Sequence, residues 1–215
     1  MRDLITKLLV LAAIMRPAAG RRVLCLHGSG GSASTFLSGG LAPLRSASPE
    51  WEFVAIDALS NGRWWTYPAG QRSFTADSYD GAEASIAAVE SELATGNYRG
   101  LIGFSQGAML AAIVAARDLL GESDSKLQFA VICGGAMPKP YDALMSRLRE
   151  APPSASMPTL HCLSGADSIN PPALGEAVAG CFRHPAAELL WHDAGHQMPP
   201  TERLAEVVAF MDRHG

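Results

Sequence analysis

The chain has 215 residues, of which 48% are hydrophobic and 18% are charged, and its formal net charge at pH 7 is -4. This length and composition predict one globular domain with a sizeable core. The weak negative charge and the absence of a Lys/Arg cluster argue against a nucleic-acid partner.

Residues 1–20 precede the first predicted strand. Their apolar run, 8–15, is too short to span a bilayer, so no transmembrane segment is expected. Ala18-Ala19-Gly20 imitates a signal-peptide cleavage site, although Asp3 and Arg16 flank the run poorly for a signal. An added helix is favoured over a weak leader or targeting segment. The predicted division is an N-terminal extension at 1–20 and one domain at 21–215. The predicted location is cytoplasmic, with secretion or organelle targeting through 1–20 as the alternative.

Strand-like and helix-like segments alternate along the rest of the chain. Short apolar segments predict strands at 22–27, 52–57, 101–104, 129–134, 159–164 and 188–192. Helix-like stretches lie near 34–45, 79–94, 108–120, 141–149, 172–181 and 202–214. The alternation predicts an α/β fold in which a mainly parallel sheet of about six strands carries helices on both faces.

Polar residues follow several of these strands, and functional residues in a parallel sheet lie just past the carboxyl ends of strands. The relevant strand ends carry His27-Gly28-Ser29-Gly30-Gly31, Ser105, Gly165-Ala166-Asp167 and Asp193-Ala194-Gly195-His196. A hydroxyl, a carboxylate and an imidazole thus occupy separate strand ends in the order Ser, Asp, His. That order is expected of the α/β-hydrolase arrangement.

Ser105 lies in a Gly-Phe-Ser-Gln-Gly pentapeptide between a predicted strand and an apolar helix-like run. The pattern alone arises easily by chance, but this setting is that of a nucleophile elbow. Gly103 and Gly107 lack a Cβ and so let strand and helix approach closely. The helix N-terminus favours a developing oxyanion. We therefore predict Ser105 as the nucleophile.

The predicted general base is His196, which lies in a loop of Gly, Pro and polar residues. Asp167 follows a strand end and a small-residue turn, a setting suited to a buried acid that orients the imidazole. Asp193 is the alternative acid, and Asp57 is a third candidate that is better explained as a loop cap. The remaining histidines interpreted as structural are His27, His161, His184 and His192.

The turn after the first strand is predicted to supply one oxyanion-hole amide. We assign it to Ser29, with Gly30 as the alternative, and the amide of Gln106 is its predicted partner. A phosphate-binding interpretation of 28–32 is disfavoured because the glycine spacing fits neither common phosphate-binding pattern.

The cysteines show neither C-x-x-C nor zinc-type spacing. They are Cys25, Cys133, Cys162 and Cys181. We interpret them as buried, reduced thiols, and we expect no metal.

Several stretches together resemble the FSH family of serine hydrolases, relatives of the OVCA2 protein and of fungal polyketide-releasing thioesterases. They are RVLCLHGSGGSASTF, RWW at 63–65, LIGFSQGAMLAA, LSGADSINP and HDAGHQMP. The likeness runs from about Arg21 to the C-terminus, and RWW favours FSH over the acyl-protein thioesterases, which share G-F-S-Q-G-A. The resemblance implies Ser105 as nucleophile, Asp167 as acid, His196 as base, and no cofactor.

The predicted function is therefore that of a serine esterase or thioesterase that works through an acyl-enzyme on a small-molecule substrate with an apolar acyl group. A phospholipase or carboxylesterase of the acyl-protein thioesterase type is one alternative. A non-catalytic binding protein on a hydrolase fold is the other. The sequence leaves the oligomeric state open.

The stretch 59–77 has no clear strand or helix and is rich in aromatic residues. Long loops of this kind are commonly lids or binding elements. We predict that Trp64 and Trp65 wall an acyl groove, while Arg63 lies at its rim and faces a polar or acidic part of the substrate. The alternative is that the aromatic side chains simply anchor the loop to the domain.

Overall fold

The computed structural model of the chain describes residues 21–182 and 187–215. The predicted helix at 1–20 and His184 lie outside these residues. The described strands form one parallel sheet in the order β2-β1-β3-β4-β5-β6. They are β1 (Arg22–Leu26), β2 (Glu52–Ile56), β3 (Gly100–Phe104), β4 (Phe129–Cys133), β5 (Thr159–Ser164) and β6 (Ala187–His192). The predicted α/β fold is confirmed.

Helices connect the strands and cover the sheet. They are α1 (Ala33–Thr35), α2 (Ala42–Ala47), α3 (Ala82–Gly96), α4 (Gln106–Leu119), α5 (Asp142–Glu150), α6 (Pro172–Ala179) and α7 (Leu204–His214). The helix predicted near 34–45 is not continuous, because a π-helical turn at Phe36–Gly40 separates α1 from α2. Two consecutive glycines weaken helix propensity there, and Pro43 fits only the first turn of a new helix.

The sheet is buried on both faces. Along β1, Leu24 and Leu26 belong to the core on the α3 and α4 side, while Val23 and Cys25 belong to the core on the α7 side. This is the two-residue alternation of a strand. The residues of α4 are buried from Gln106 through Ala116, and those after Gln106 are small or apolar. The N-terminus of α4 is therefore held firmly against the strand ends.

The four cysteines are buried, and none of them forms a disulfide. Within residues 21–182 and 187–215, no helix is long and apolar enough to cross a membrane.

His161, in the middle of β5, is fully buried, and this burial lowers its pKa to about 3. Its Nδ1 has no hydrogen-bond partner within the described chain, while Nε2 lies 3.1 Å from Thr159 Oγ1. The unfolded chain takes up the proton near the ordinary histidine value of 6.5. The folded state therefore binds fewer protons between these two values, and stability is lost as the pH falls through that interval.

We expect replacement of His161 by leucine or glutamine to reduce the pH dependence of stability. In the wild type, His161 should contribute a loss of up to about 1.4 kcal/mol of unfolding free energy per pH unit below pH 6. Urea denaturation at a series of pH values from 7 to 4 measures this slope. An unchanged slope in both variants would show that His161 does not contribute.

Candidate active site

Ser105 lies on the sharp turn between β3 and α4, with φ 54° and ψ -117°. Side-chain-bearing residues rarely adopt this conformation, which is typical of a nucleophile elbow. A Cβ on Gly103 would lie 2.3 Å from the carbonyl oxygen of Gly107, and one on Gly107 would lie 2.3 Å from that of Leu26. The two glycines are therefore required for α4 to pack against β3 and β1.

The side chains of Ser105, His196 and Asp167 form one hydrogen-bonded line. His196 Nε2 lies 2.8 Å from Ser105 Oγ, and His196 Nδ1 lies 2.7 Å from Asp167 Oδ2. A neutral imidazole can donate from Nδ1 to the carboxylate while it accepts the serine hydroxyl proton at Nε2. The structure thus brings together the three residues that the sequence predicts as nucleophile, base and acid.

Asp167 is buried, and its other oxygen, Oδ1, accepts 2.9 Å hydrogen bonds from the amides of Ile169 and Asn170. These bonds fix the carboxylate toward His196. Asp193 is exposed and forms no hydrogen bond with the imidazole among the described contacts. Asp57 accepts a hydrogen bond from the amide of Ala33 at 2.7 Å, as a loop-capping residue does.

Ser164, at the end of β5, connects the loops that carry the acid and the base. Its hydroxyl oxygen accepts hydrogen bonds from the amides of Ala166 at 3.2 Å and Gly195 at 3.0 Å. The role of Ser164 was not predicted from the sequence. Its position, directly before the Gly-Ala-Asp turn, was the available signal.

Hydrogen bonds also hold the turn after β1 in place. His27 is buried, its Nδ1 lies 2.8 Å from the carbonyl of Gly28, and its Nε2 accepts from the amide of Ala58 at 3.2 Å. Its own carbonyl accepts from Trp64 Nε1 at 2.8 Å. These contacts agree with the structural interpretation of His27 and hold the neighbouring Ser29 turn in place.

The amides of this turn are not equally available. The Gly30 amide donates to the carbonyl of Gly62 at 2.7 Å, and the Gly31 amide donates to that of Gly28 at 3.1 Å. The Ser29 amide has no acceptor within the described chain. Gln106 begins α4, where backbone amides have no partner inside the helix. The hydrogen bonding therefore favours Ser29 over Gly30 as a donor to a ligand.

The side chain of Gln106 makes two further hydrogen bonds that the sequence did not predict. It is 3% exposed, its Oε1 accepts from the Trp64 amide at 3.0 Å, and its Nε2 donates to the Trp65 carbonyl at 3.0 Å. One amide side chain thus satisfies two backbone groups of the loop after β2.

We expect Gln106→Ala to lower the free energy of unfolding by about 1–3 kcal/mol, because a buried amide and a buried carbonyl lose their partners. Gln106→Glu should cost more, since a carboxylate oxygen would face the Trp65 carbonyl. Urea denaturation measures both changes, with the exposed Gln128→Ala as control. A Gln106→Ala variant as stable as this control would contradict the assignment.

Trp64 and Trp65 are each 1% exposed and belong to the core. Trp65 stacks on Tyr79 with ring centroids 4.5 Å apart. This burial favours the alternative prediction, in which the tryptophans anchor the loop to the domain and do not wall an open groove. Hydrogen bonds to the Gln106 side chain and to the His27 carbonyl hold the loop against the core. Trp65 borders the smaller of the two cavities described below. Substrate contact by Arg63, Trp64 and Trp65 stays a prediction.

Two cavities meet at Ser29. The larger, of about 770 Å³, is bordered by His196 and has apolar walls that include Phe36, Phe104 and Met198. The smaller, of about 260 Å³, is lined by Ser29, Arg63, Trp65, Thr66, Tyr67, Pro68, Ala69, Gly70, Gln71 and Gln106. The site therefore has an apolar side next to the imidazole and a more polar side next to the start of α4.

Within residues 21–182 and 187–215, no cluster of three histidine, cysteine, aspartate or glutamate side chains is arranged to hold a metal ion.

The sheet order and the Ser–His–Asp arrangement are those of an α/β-hydrolase. Residues 40–208 match the model of the FSH1 serine hydrolase family, and the chain belongs to that family. The chain is 30% identical to esterase CG5412 of Drosophila melanogaster, across 89% of this chain and 74% of that protein. It is also 30% identical to esterase OVCA2 of Xenopus tropicalis, across 74% of this chain and 70% of that protein.

The crystal structure of Zea mays acyl-protein thioesterase 2 superposes with a TM-score of 0.69, covering 92% of this chain and 96% of that one. At 22% identity this likeness shows a shared fold. With the family match, the predicted FSH membership and the predicted serine esterase or thioesterase activity are confirmed.

Proposed function

We propose that Ser105 attacks the carbonyl carbon of an ester or thioester while His196 accepts its proton and Asp167 orients the imidazole. The observation that carries this assignment is the hydrogen-bonded line from Ser105 Oγ through His196 to Asp167. His196 then donates the proton to the leaving oxygen or sulfur, which departs and leaves an acyl-serine. Water, deprotonated by His196, releases the acid and restores the hydroxyl.

The amides of Ser29 and Gln106 hold the oxyanion in this proposal. The free Ser29 amide and the position of Gln106 at the first residue of α4 support the pairing. The N-terminal end of a helix also carries positive partial charge, which stabilises the oxyanion.

The larger cavity receives the apolar part of the substrate. Its walls include Phe36, Phe104 and Met198 beside His196. A leaving group must face His196 to receive its proton, so this apolar part belongs to the alcohol or thiol. The expectation of an apolar acyl group rested on Trp64 and Trp65 lining an open groove, and their burial removes that support.

Labelling with a fluorophosphonate probe tests the activated serine. The wild type should be labelled and Ser105→Ala should not. A panel of acetate esters with alcohols of graded chain length, beside acetyl thioesters, should show kcat/KM rising with the length of the leaving group. An unlabelled wild type would favour the non-catalytic alternative, and a flat panel would contradict the assignment of the larger cavity.

The cytoplasmic location remains part of the proposal. Buried, unbonded thiols are compatible with a reducing compartment. Imaging of the full chain fused at its C-terminus to a fluorescent protein, beside a version that begins at Arg21, tests it. A changed location in the shortened chain would support targeting through 1–20.

A further inference from the structure

We propose that Arg63 binds a carboxylate on the acyl part of the substrate, so that the preferred substrates are monoesters or thioesters of short dicarboxylic acids. This inference rests on the proposed function, because it assigns the second cavity of the same site. The cavity is the 260 Å³ chamber that includes Arg63, Ser29 and Gln106 among its lining residues.

The chamber receives the acyl arm for a stereochemical reason. The tetrahedral intermediate carries the serine oxygen, the oxyanion, the leaving group and the acyl carbon. The oxyanion points to the amides of Ser29 and Gln106, and the leaving group points to His196. His196 borders the larger cavity and not the chamber, Gln106 borders the chamber and not the larger cavity, and Ser29 borders both. With the leaving group in the larger cavity, the acyl arm takes the chamber, which is the other of these two cavities at Ser29, and its volume of about 260 Å³ suits a short chain.

The backbone of Arg63 is held rigidly. The amide of Arg63 donates to the carbonyl of Ser60 at 2.8 Å across a tight turn whose central residues, Asn61 and Gly62, have φ of 45° and 76°. These values are those of a type I′ turn. The Gly62 carbonyl in turn accepts from the Gly30 amide at 2.7 Å. The turn that carries Arg63 is therefore hydrogen-bonded to the turn that carries Ser29, the proposed oxyanion donor.

The guanidinium group is available for a ligand. Arg63 is exposed, and across residues 21–182 and 187–215 its side chain has no hydrogen bond or ion pair. Carboxylates elsewhere hold the side chains of Arg21, Arg22, Arg117, Arg147, Arg203 and Arg213. An unpaired guanidinium at a cavity, on a backbone that is held in place, is suited to bidentate carboxylate recognition.

The charge around the two cavities differs in sign. Arg63 is the charged residue among those that line the chamber, whereas the larger cavity is bordered by Glu202. The positive end of α4, at Gln106, adds to the field in the chamber. Thr66, Tyr67 and Gln71 supply further hydrogen-bonding groups. The chamber therefore favours an anionic acyl terminus and the larger cavity does not.

A matched pair of substrates tests the proposal: the mono-4-nitrophenyl ester of glutaric acid, and the same compound with its free carboxylate blocked as a methyl ester. We expect the wild type to favour the free carboxylate in kcat/KM. Arg63→Gln should lower the ratio of the two kcat/KM values by roughly tenfold or more, since a charge-assisted hydrogen bond is lost. Arg63→Lys should recover part of the ratio. High salt should lower the ratio in the wild type.

Arg72→Gln is the control, because Arg72 is exposed in the same loop but does not line the chamber. It should leave the ratio unchanged. A wild-type preference for the methyl ester, or a ratio that survives Arg63→Gln, would overturn the proposal. If fluorophosphonate labelling and 4-nitrophenyl acetate hydrolysis persist in that case, the carboxylate assignment alone has failed. If both are absent from the wild type, the proposed function itself has failed.

Discussion

Replacement of Ser105 by alanine is expected to lower kcat for 4-nitrophenyl acetate by about 10⁴- to 10⁶-fold without loss of folding. The hydroxyl is the group that would form the acyl-enzyme, and it lies 2.8 Å from His196 Nε2. His196→Ala should have an effect of similar size. The double variant should be little worse than the poorer single variant, because the residues act as a unit. Steady-state kinetics with circular dichroism as a folding control measures these effects.

The assignment of Asp167 as the acid is tested by a matched pair of substitutions. Asp167→Asn keeps the size of the side chain but no longer favours the imidazole tautomer with the proton on Nδ1, and we expect a loss of roughly 10⁴-fold in kcat. Asp193→Asn changes an exposed carboxylate in the His196 loop and should stay near the wild-type value. The reverse result, an active Asp167→Asn and an inactive Asp193→Asn, would transfer the acid role to Asp193.

The strands could be predicted because each is a short apolar run whose neighbours are polar or turn-forming. Once the sheet was known to be parallel, the position of Ser105, Asp167 and His196 at one edge followed from topology. Asp167 was preferred to Asp193 because Asp193 lies three residues before His196. So short a segment leaves little chain for the Asp193 carboxylate to fold back to the imidazole ring of His196. The hydrogen bonds at 2.7 and 2.8 Å agree with that expectation.

The burial of the tryptophans could not be predicted in the same way. Trp64 and Gln106 are 42 residues apart, and nothing in either local pattern indicates that one side chain satisfies both the Trp64 amide and the Trp65 carbonyl. A loop that lacks regular structure can be either open or folded inward. The choice depends on whether distant polar groups complete its hydrogen bonds.

The break in the helix predicted near 34–45 was missed, although the sequence carries a signal for it. Gly39-Gly40 and Pro43 interrupt the apolar pattern, and each disfavours a continuous helix. The interruption has a consequence for the site. Phe36 and Gly40, on the π-helical turn, border the larger cavity, so the irregular backbone shapes the space beside His196.

Gly107→Ala is expected to damage both stability and activity. The added Cβ would lie 2.3 Å from the Leu26 carbonyl oxygen and 2.6 Å from that of His27. Both are backbone atoms in the core, so neither can rotate away, and α4 must move from β1. Overpacking of this kind costs about 1–3 kcal/mol, which corresponds to a fall in Tm of roughly 2–12 °C for a chain of this size.

The same movement separates the two proposed oxyanion donors, because Ser29 follows β1 and Gln106 begins α4. Loss of one such donor typically costs about 10²- to 10³-fold in kcat, and we expect Gly107→Ala to approach that range at temperatures where it remains folded. Gly180→Ala is the control, since its Cβ would meet atoms only at ordinary contact distances of 3.4 and 3.6 Å. A Gly107→Ala variant with the Tm and kcat of this control would show that α4 and β1 are less tightly coupled than the packing indicates.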